Sequence, residues 1–313
     1  MKMSIFVTFF LLNFISPYLS PEQVPDPERF NRAVQLIEQG KCGDALPLLK
    51  DLASRNPGRP AIFLAMGQCL FESGQSADAE PVLRRAVELA PALSQGHYLL
   101  GSVLGTLNRG TEAMKELREA VRLAPDFAPA HRVMGMFQVE HQQLLPETRQ
   151  ALETAIRLDP ADSRALYWLG RYFQGIKDTE SAARCYAAVL KLEPNSAQAR
   201  LGLAQAFYDL GEIEKARTEY ERVLARDPNS YTALLGRARC LYSLRDYAAA
   251  LSIASALEKK EAGAPDQRQL YWLLARIHRA MGQNAEALAA ENKLREFERE
   301  IEKGLASFRE TGK

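Results

Sequence analysis

Apolar residues recur at spacings of three and four along most of the chain, which places them on one face of an α-helix. Polar residues fill the positions between them. The alternating Val-, Ile- and Thr-rich runs that indicate β-strands do not occur. The pattern therefore predicts an all-α protein built from many short amphipathic helices.

Prolines divide this helical pattern at a nearly constant interval. Each closes a run such as AVELAP or VLKLEP, and successive members are 34, 34, 35, 34 and 34 residues apart: Pro57, Pro91, Pro125, Pro160, Pro194 and Pro228. A fixed period of this length is typical of solenoids, in which neighbouring helix pairs stack because one pair cannot bury its own apolar face.

Small residues recur at two places in each period. One set lies within the first helix of each pair: Gly67, Gly101, Gly135, Gly170, Ala204, Ala238 and Ala275. A second set opens the return helix: Ala45, Ala79, Ala113, Ala182, Ala216, Ala250 and Ala287. A large residue follows the second set four positions later: Leu49, Leu83, Leu117, Tyr186 and Tyr220.

Together with the prolines, these residues resemble the signature of the tetratricopeptide repeat (TPR) family. The resemblance covers about residues 26 to 294. It implies a right-handed superhelical solenoid of antiparallel helix pairs, with a concave groove that binds peptides or protein segments.

We expect about eight helix-turn-helix repeats within residues 28–294. Their approximate bounds are 26–59, 60–93, 94–127, 128–162, 163–196, 197–230, 231–267 and 268–294. Glycine or asparagine marks the turn inside several repeats, as in ESGQ (Glu72–Gln75), TLNRG (Thr106–Gly110) and DLGE (Asp209–Glu212), whereas the fourth repeat has no glycine there.

The C-terminal segment, residues 295–313, is predicted to form a capping helix and a tail. Apolar residues continue through it at spacings of 3, 4, 4 and 3: Leu294, Phe297, Ile301, Leu305 and Phe308. Such a stripe suits a helix that covers the last hydrophobic face. The alternative is a seam through which two copies of the chain associate.

The first 20 residues have a different pattern, and residues 21–27 form a linker. Lys2 precedes an apolar stretch that begins at Ile5 and ends before Pro17. This pattern predicts a signal peptide and export, to the periplasm or beyond the cell. Because no small-x-small cleavage triplet is present, an uncleaved membrane anchor is the alternative, followed by a wrongly chosen start codon.

Charge and motif content argue against several classes of function. Forty Lys and Arg residues face 39 Asp and Glu residues, so no global charge attracts nucleic acid. Four separated cysteines and four histidines form no metal-ligand spacing, and we interpret them as packing residues. No nucleophile elbow, phosphate loop or zinc motif occurs. We predict no catalysis, no metal and no cofactor.

The family resemblance implies that the first helix of each pair lines the groove. The corresponding positions here are Tyr98, Arg132, Arg164, Tyr167, Arg171, Gln174, Gln198, Gln205, Tyr208, Arg239, Tyr242, Trp272, Arg276 and Arg279. Arginine interleaved with aromatic residues suits an acidic segment or a free C-terminal carboxylate. The alternative is an ordinary solvated face. The Lys/Asn clamp of some family members is not matched, because Phe30, Val34 and Ala65 stand at its places.

The predicted function is therefore a non-catalytic scaffold that binds a protein segment, at the cell envelope if the leader directs export. One alternative is a structural protein that self-associates through its C-terminal helix. Another is a groove for carbohydrate or a different ligand. The sequence leaves the oligomeric state open.

Overall fold

The structure, a computed structural model, describes residues 26–259 and 264–311, without the side chains of 264–266 and 304–311. The predicted leader, most of the linker and the side chains of Leu305 and Phe308 lie outside these residues. The described residues divide into two compact units, and the division lies between Ala165 and Leu166.

The described residues form sixteen α-helices and no strand, which confirms the all-α prediction. The first unit contains α1 (Pro27–Glu38), α2 (Cys42–Arg55), α3 (Pro60–Glu72), α4 (Ser76–Leu89), α5 (Ser94–Thr106), α6 (Gly110–Leu123), α7 (Ala128–Glu140) and α8 (Pro146–Leu158). The boundary between the units falls in the first turn of α9 (Ser163–Gly175). The second unit continues with α10 (Thr179–Leu192), α11 (Ala197–Asp209), α12 (Ile213–Leu224), α13 (Tyr231–Ser243), α14 (Tyr247–Glu258), α15 (Ala264–Ala280) and α16 (Asn284–Thr311).

Large side chains of the second helices pack directly over small residues of the first helices. A Cβ atom added to Gly67 would lie 2.4 Å from Leu83, and one added to Gly135 would lie 2.5 Å from Leu152. Because nonbonded carbon atoms approach no closer than about 3.5 Å without strain, a larger residue would push the helices apart. The predicted small positions therefore set how closely the helices pack.

Two tyrosines replace leucine in this role and need an additional glycine. A Cβ atom added to Gly170 would lie 2.9 Å from the ring of Tyr186. One added to Gly202, in the next repeat, would lie 2.6 Å from the same ring. The ring of Tyr220 lies 2.3 Å from the Cβ position of Gly236. Burial raises the pKa of both tyrosines, so both hydroxyls stay protonated in the physiological range.

Every described turn between paired helices contains one residue with positive φ. Four of these residues are glycines: Gly40, Gly74, Gly211 and Gly282. The other four are Asn108, Gln142, Lys177 and Arg245. The predicted role of glycine or asparagine in ending the first helix is confirmed, and three turns use residues that adopt this conformation at a steric cost.

The carbonyl groups of three repeat prolines accept hydrogen bonds from the residue six positions later. Nε2 of His97 donates to Pro91 at 3.0 Å, and Nε2 of His131 donates to Pro125 at 2.9 Å. Arg200 donates in the same way to Pro194. These bonds fix the turn that joins one repeat to the next.

His97 is also part of an ion pair that joins α5 to α6. Its Nδ1 lies 2.7 Å from Oε2 of Glu116, so both ring nitrogens face atoms that only accept hydrogen bonds. The imidazolium form satisfies both, because each nitrogen then carries a proton. Burial opposes the charge, but the bonds to Glu116 and Pro91 outweigh it and raise the pKa of His97.

Two departures from the repeat pattern are accommodated locally. In the fourth repeat Thr148 takes the place of the opening alanine, and its buried hydroxyl donates to the carbonyl of Gln143.

At the C-terminus α16 is one continuous helix that extends through the 294/295 boundary expected from the sequence. Ala287 and Ala290 are buried, whereas Ile301 is 41% exposed.

None of the four cysteines is in a disulfide, and all four are buried in helices or at a helix start, as their interpretation as packing residues predicts. None of the described helices has the length and hydropathy that crossing a membrane requires.

Replacing Gly236 by alanine should destabilise the protein, because the new Cβ would overlap the Tyr220 ring. We expect the free energy of unfolding to fall by about 1–3 kcal/mol. Gly43→Ala is the matched control, since a Cβ there meets no atom within 4 Å. Chemical denaturation followed by circular dichroism measures both variants. Equal stability of the two would contradict the packing described here.

Replacing Arg245 by glycine should stabilise the protein, because glycine adopts positive φ without steric cost. The expected gain is about 0.5–1 kcal/mol in the free energy of unfolding. Arg118→Gly, within α6, should instead lose about 1 kcal/mol. Thermal unfolding of both variants measures the difference, and a loss of stability in Arg245→Gly would be inconsistent with a strained turn.

The His97–Glu116 pair should make stability depend on pH. Because the folded pKa of His97 lies above its unfolded value of about 6.5, the contribution is complete below that pH and is lost as pH rises through the folded pKa. The difference in unfolding free energy between the protein and its His97→Gln variant should therefore shrink from acidic to alkaline pH. Titration by NMR should show a lower His97 pKa in Glu116→Gln; an unchanged value would exclude the pair as the cause.

Candidate functional site

An open cavity of about 930 Å³ lies within the second unit. The helices α9, α11, α13 and α15 contribute to its wall, and residues of α10 and α16 complete it. Its lining residues are Gln174, Lys177, Thr179, Ala182, Gln205, Ala206, Asp209, Arg239, Arg268, Gln269, Trp272, Leu294 and Glu298. The cavity thus extends along the first helices of four successive repeats.

Four of the predicted groove residues line this cavity: Gln174, Gln205, Arg239 and Trp272. They come from four different helices, and Gln205 and Arg239 lie side by side because they hold equivalent positions in successive repeats. Trp272 is 45% exposed, so part of its ring is open to a ligand.

Arg239 is held by neutral groups of the preceding repeat. Its guanidinium carbon lies 4.3 Å from the centre of the Tyr208 ring, and Nη1 donates to Oε1 of Gln205 at 3.0 Å. The amide of Gln205 in turn donates to Asp209 at 2.7 Å. These contacts fix the position of the guanidinium at the cavity wall while its positive charge remains.

Arg276 repeats this arrangement one repeat later. Its guanidinium carbon lies 5.2 Å from the ring centre of Tyr242 and 4.6 Å from that of Trp272. Its Nε donates to the hydroxyl of Tyr242 at 3.2 Å. Each of the two arginines is therefore positioned by the tyrosine of the preceding repeat.

The packing tyrosines also fix the cavity glutamines. The hydroxyl of Tyr186 donates to Oε1 of Gln174 at 2.9 Å, and that of Tyr220 lies 3.4 Å from Oε1 of Gln205. The side chains that space the helices thus also orient polar groups of the cavity. Elsewhere on the wall, Arg268 pairs with Glu298 of α16 at 3.1 Å.

The other predicted groove residues of the second unit do not line the cavity. Nη1 of Arg171 lies 3.5 Å from the hydroxyl of Tyr167, and Gln198 is exposed in the first turn of α11. Arg279 forms an ion pair with Glu291 of α16 and so serves to hold that helix.

The three predicted groove residues of the first unit have different environments. Tyr98 does not contribute to an open surface: it is 8% exposed and packs edge-on against Phe127 at 5.2 Å. Arg132 is also withdrawn, because its Nε lies 2.8 Å from Asp162 and both side chains are largely buried. Arg164 is exposed.

Several cavity residues were not found from the sequence. Thr179, Ala182, Leu294 and Glu298 belong to second helices, whereas the family resemblance directs attention to first helices. Lys177 lies in a turn, and only its position one repeat before Gly211 indicates that it adopts positive φ. Within the described part of the chain, no group of His, Cys, Asp or Glu side chains is arranged to hold a metal ion.

Comparisons with known proteins agree with this architecture. Three family models, each described as tetratricopeptide repeat, match residues 36–103, residues 94–127, and residues 170–222 and 204–265. Together they cover more than half of the chain. No match is found among the curated proteins.

Solved structures with the same fold include PilF of Pseudomonas aeruginosa, which is 24% identical, has a TM-score of 0.57 and shares 66% of this chain and 93% of its own. A tetratricopeptide repeat protein of Parabacteroides merdae is 14% identical, with a TM-score of 0.55 and coverage of 80% and 97%. YrrB, described as a TPR protein with an unusual peptide-binding site, is 19% identical, with a TM-score of 0.51 and coverage of 59% and 95%. The matches to the repeat models and the helix pairs of both units together show that this chain belongs to the tetratricopeptide repeat family.

Proposed function

We propose that this protein is a non-catalytic scaffold that binds a segment of a partner protein in the cavity of its second unit. The family is one of protein-interaction scaffolds, which supports binding of a protein or peptide as the general activity. The observation that supports the second unit as the binding site is the cavity itself, because it is open and lined by residues of four successive repeats.

The chemistry of the wall supports a ligand with negative charge, either acidic side chains or a free C-terminal carboxylate. Arg239, the partly exposed Trp272 and the aliphatic side chain of Leu294 line the same cavity. A planar guanidinium binds carboxylates through paired hydrogen bonds, and an exposed indole contributes apolar contact area.

We further propose that the scaffold acts at the cell envelope, exported or held there by an uncleaved leader. The support for this location is the charged and apolar pattern of residues 1–20. A scaffold in that compartment would bring envelope proteins together through reversible binding.

Capture of partners by the tagged full chain from the envelope fraction of its own cell tests this function. Arg239 lines the cavity, and Arg276 lies against Trp272 of its wall. A variant with Arg239→Glu and Arg276→Glu should lose its partner, since each change replaces attraction by repulsion; the loss should be at least about tenfold. Circular dichroism should show that the variant remains helical.

The matched control carries Arg184→Glu and Arg299→Glu, which change the net charge equally at exposed positions outside the cavity. It should capture the partner as the unaltered protein does. If the cavity variant also captures the same proteins, binding does not use this surface.

A further inference from the structure

The six arginines of α11, α13 and α15 fall into two groups. Those of the first group lie within ion-pair distance of a glutamate: Arg200, Arg237, Arg268 and Arg279. For Arg239 and Arg276, no carboxylate of the described residues lies within that distance, and their contacts are with Tyr, Trp and Gln side chains.

This difference matters because the two kinds of partner have opposite effects on recognition. A glutamate neutralises the guanidinium and occupies its donors. An aromatic ring holds the guanidinium in place by a cation–π contact and leaves both its charge and most of its N–H groups unused. A guanidinium has five N–H donors. In Arg239, and likewise in Arg276, one of the five bonds to a described residue.

The arrangement is confined to one part of the sequence. The position after the small residue holds Val34, Gln68, Ser102 and Met136 in the first four repeats, and Arg171, Gln205, Arg239 and Arg276 in the last four. Cations at this position therefore begin in the fifth repeat, and the cavity lies in the same four repeats.

Resting on the function proposed above, we propose that the second unit selects an extended segment with acidic side chains inside its sequence, one for Arg239 on the cavity wall and one for Arg276, which lies against Trp272 of that wall. Two guanidiniums in successive repeats, each with its own tyrosine, are separate anion sites. A chain-terminal carboxylate is a single point and would use one of them. Between the two sites, an apolar side chain of the segment packs on the exposed face of Trp272.

Tyr208 and Tyr242 are positioning residues in this proposal. They contact the arginines, not the ligand carboxylates, and they restrict each guanidinium to one location before binding. Pre-positioning reduces the side-chain entropy that binding would otherwise cost. Tyr208 acts through its ring, whereas Tyr242 also accepts a hydrogen bond from Arg276.

The first experiment selects peptides from a phage-displayed library of random dodecapeptides on the immobilised full chain. The selected sequences should be enriched in Asp and Glu at two internal positions with an apolar residue between them. One selected peptide is then synthesised with an amidated C-terminus, together with its counterpart in which Gln replaces Glu and Asn replaces Asp. Fluorescence anisotropy gives both dissociation constants.

Variants of the protein then connect the acidic positions to the arginines. Arg239→Gln and Arg276→Gln should each weaken binding of the acidic peptide by about tenfold or more and leave the neutral peptide nearly unaffected. Arg184→Gln, outside the cavity, is the control for charge. Tyr208→Leu should weaken binding of the acidic peptide by about fivefold. Tyr208→Phe keeps the ring and should leave this binding unchanged.

The outcomes separate this inference from the function on which it rests. Two results would overturn the inference that the ligand is an acidic segment: selected peptides without acidic enrichment, or an acidic peptide that binds the Arg239→Gln variant as tightly as the unaltered protein. Peptide binding as the general function would stand in either case. Loss of binding on amidation would overturn it in favour of a terminal carboxylate. If Tyr208→Leu weakens binding of the neutral peptide as much as binding of the acidic peptide, the Tyr208 ring has only a structural role. Failure to select any peptide would remove the proposed function as well.

Discussion

The close approach of paired helices, allowed by a residue with little or no side chain, is the constraint on which the rest of the molecule depends. Leu83 over Gly67 and Leu152 over Gly135 bring two backbones near enough to exclude water from the space between them. The same contact recurs in the second to fifth repeats, at Gly67, Gly101, Gly135 and Gly170. In these repeats one pair of positions sets how closely the two helices approach.

The wall of the cavity follows from that regularity. A position in one repeat lies beside the same position in the next, so a tyrosine near the end of one first helix reaches the arginine of the following one. The buried tyrosines connect helix packing with the cavity wall, since Tyr186 both spaces the helices and donates a hydrogen bond to Gln174. The packing of the helices and the polar groups of the wall therefore share residues, and a change in packing would also move these polar groups.

Much of the fold follows from local chemistry that a sequence displays. Proline spacing, small residues and the turn glycines each have one physical explanation, and they predict helix pairs and their approximate positions. The site is harder to predict. Tyr98 and Arg132 occupy groove positions when residues are counted from the small position of each repeat. In the structure Tyr98 packs against Phe127 and Arg132 pairs with Asp162, and the repeat pattern predicts neither contact. Arg279 is withdrawn in the same way by Glu291. Which cations remain unneutralised depends on contacts between helices that periodicity does not specify.

The tyrosine-over-glycine contacts have a consequence for how such a protein can evolve. Repeat proteins gain and lose units by recombination, which joins the end of one unit to the start of another. Tyr186 and Tyr220 are each followed by a glycine in the next first helix, whereas Leu99 and Val133 stand at the equivalent place after leucine-type units. A recombination event that placed a tyrosine-type unit before Leu99 or Val133 would produce a steric clash at the junction. The fifth to seventh repeats are thus expected to be inherited as a block, together with the arginine and tyrosine side chains that they carry.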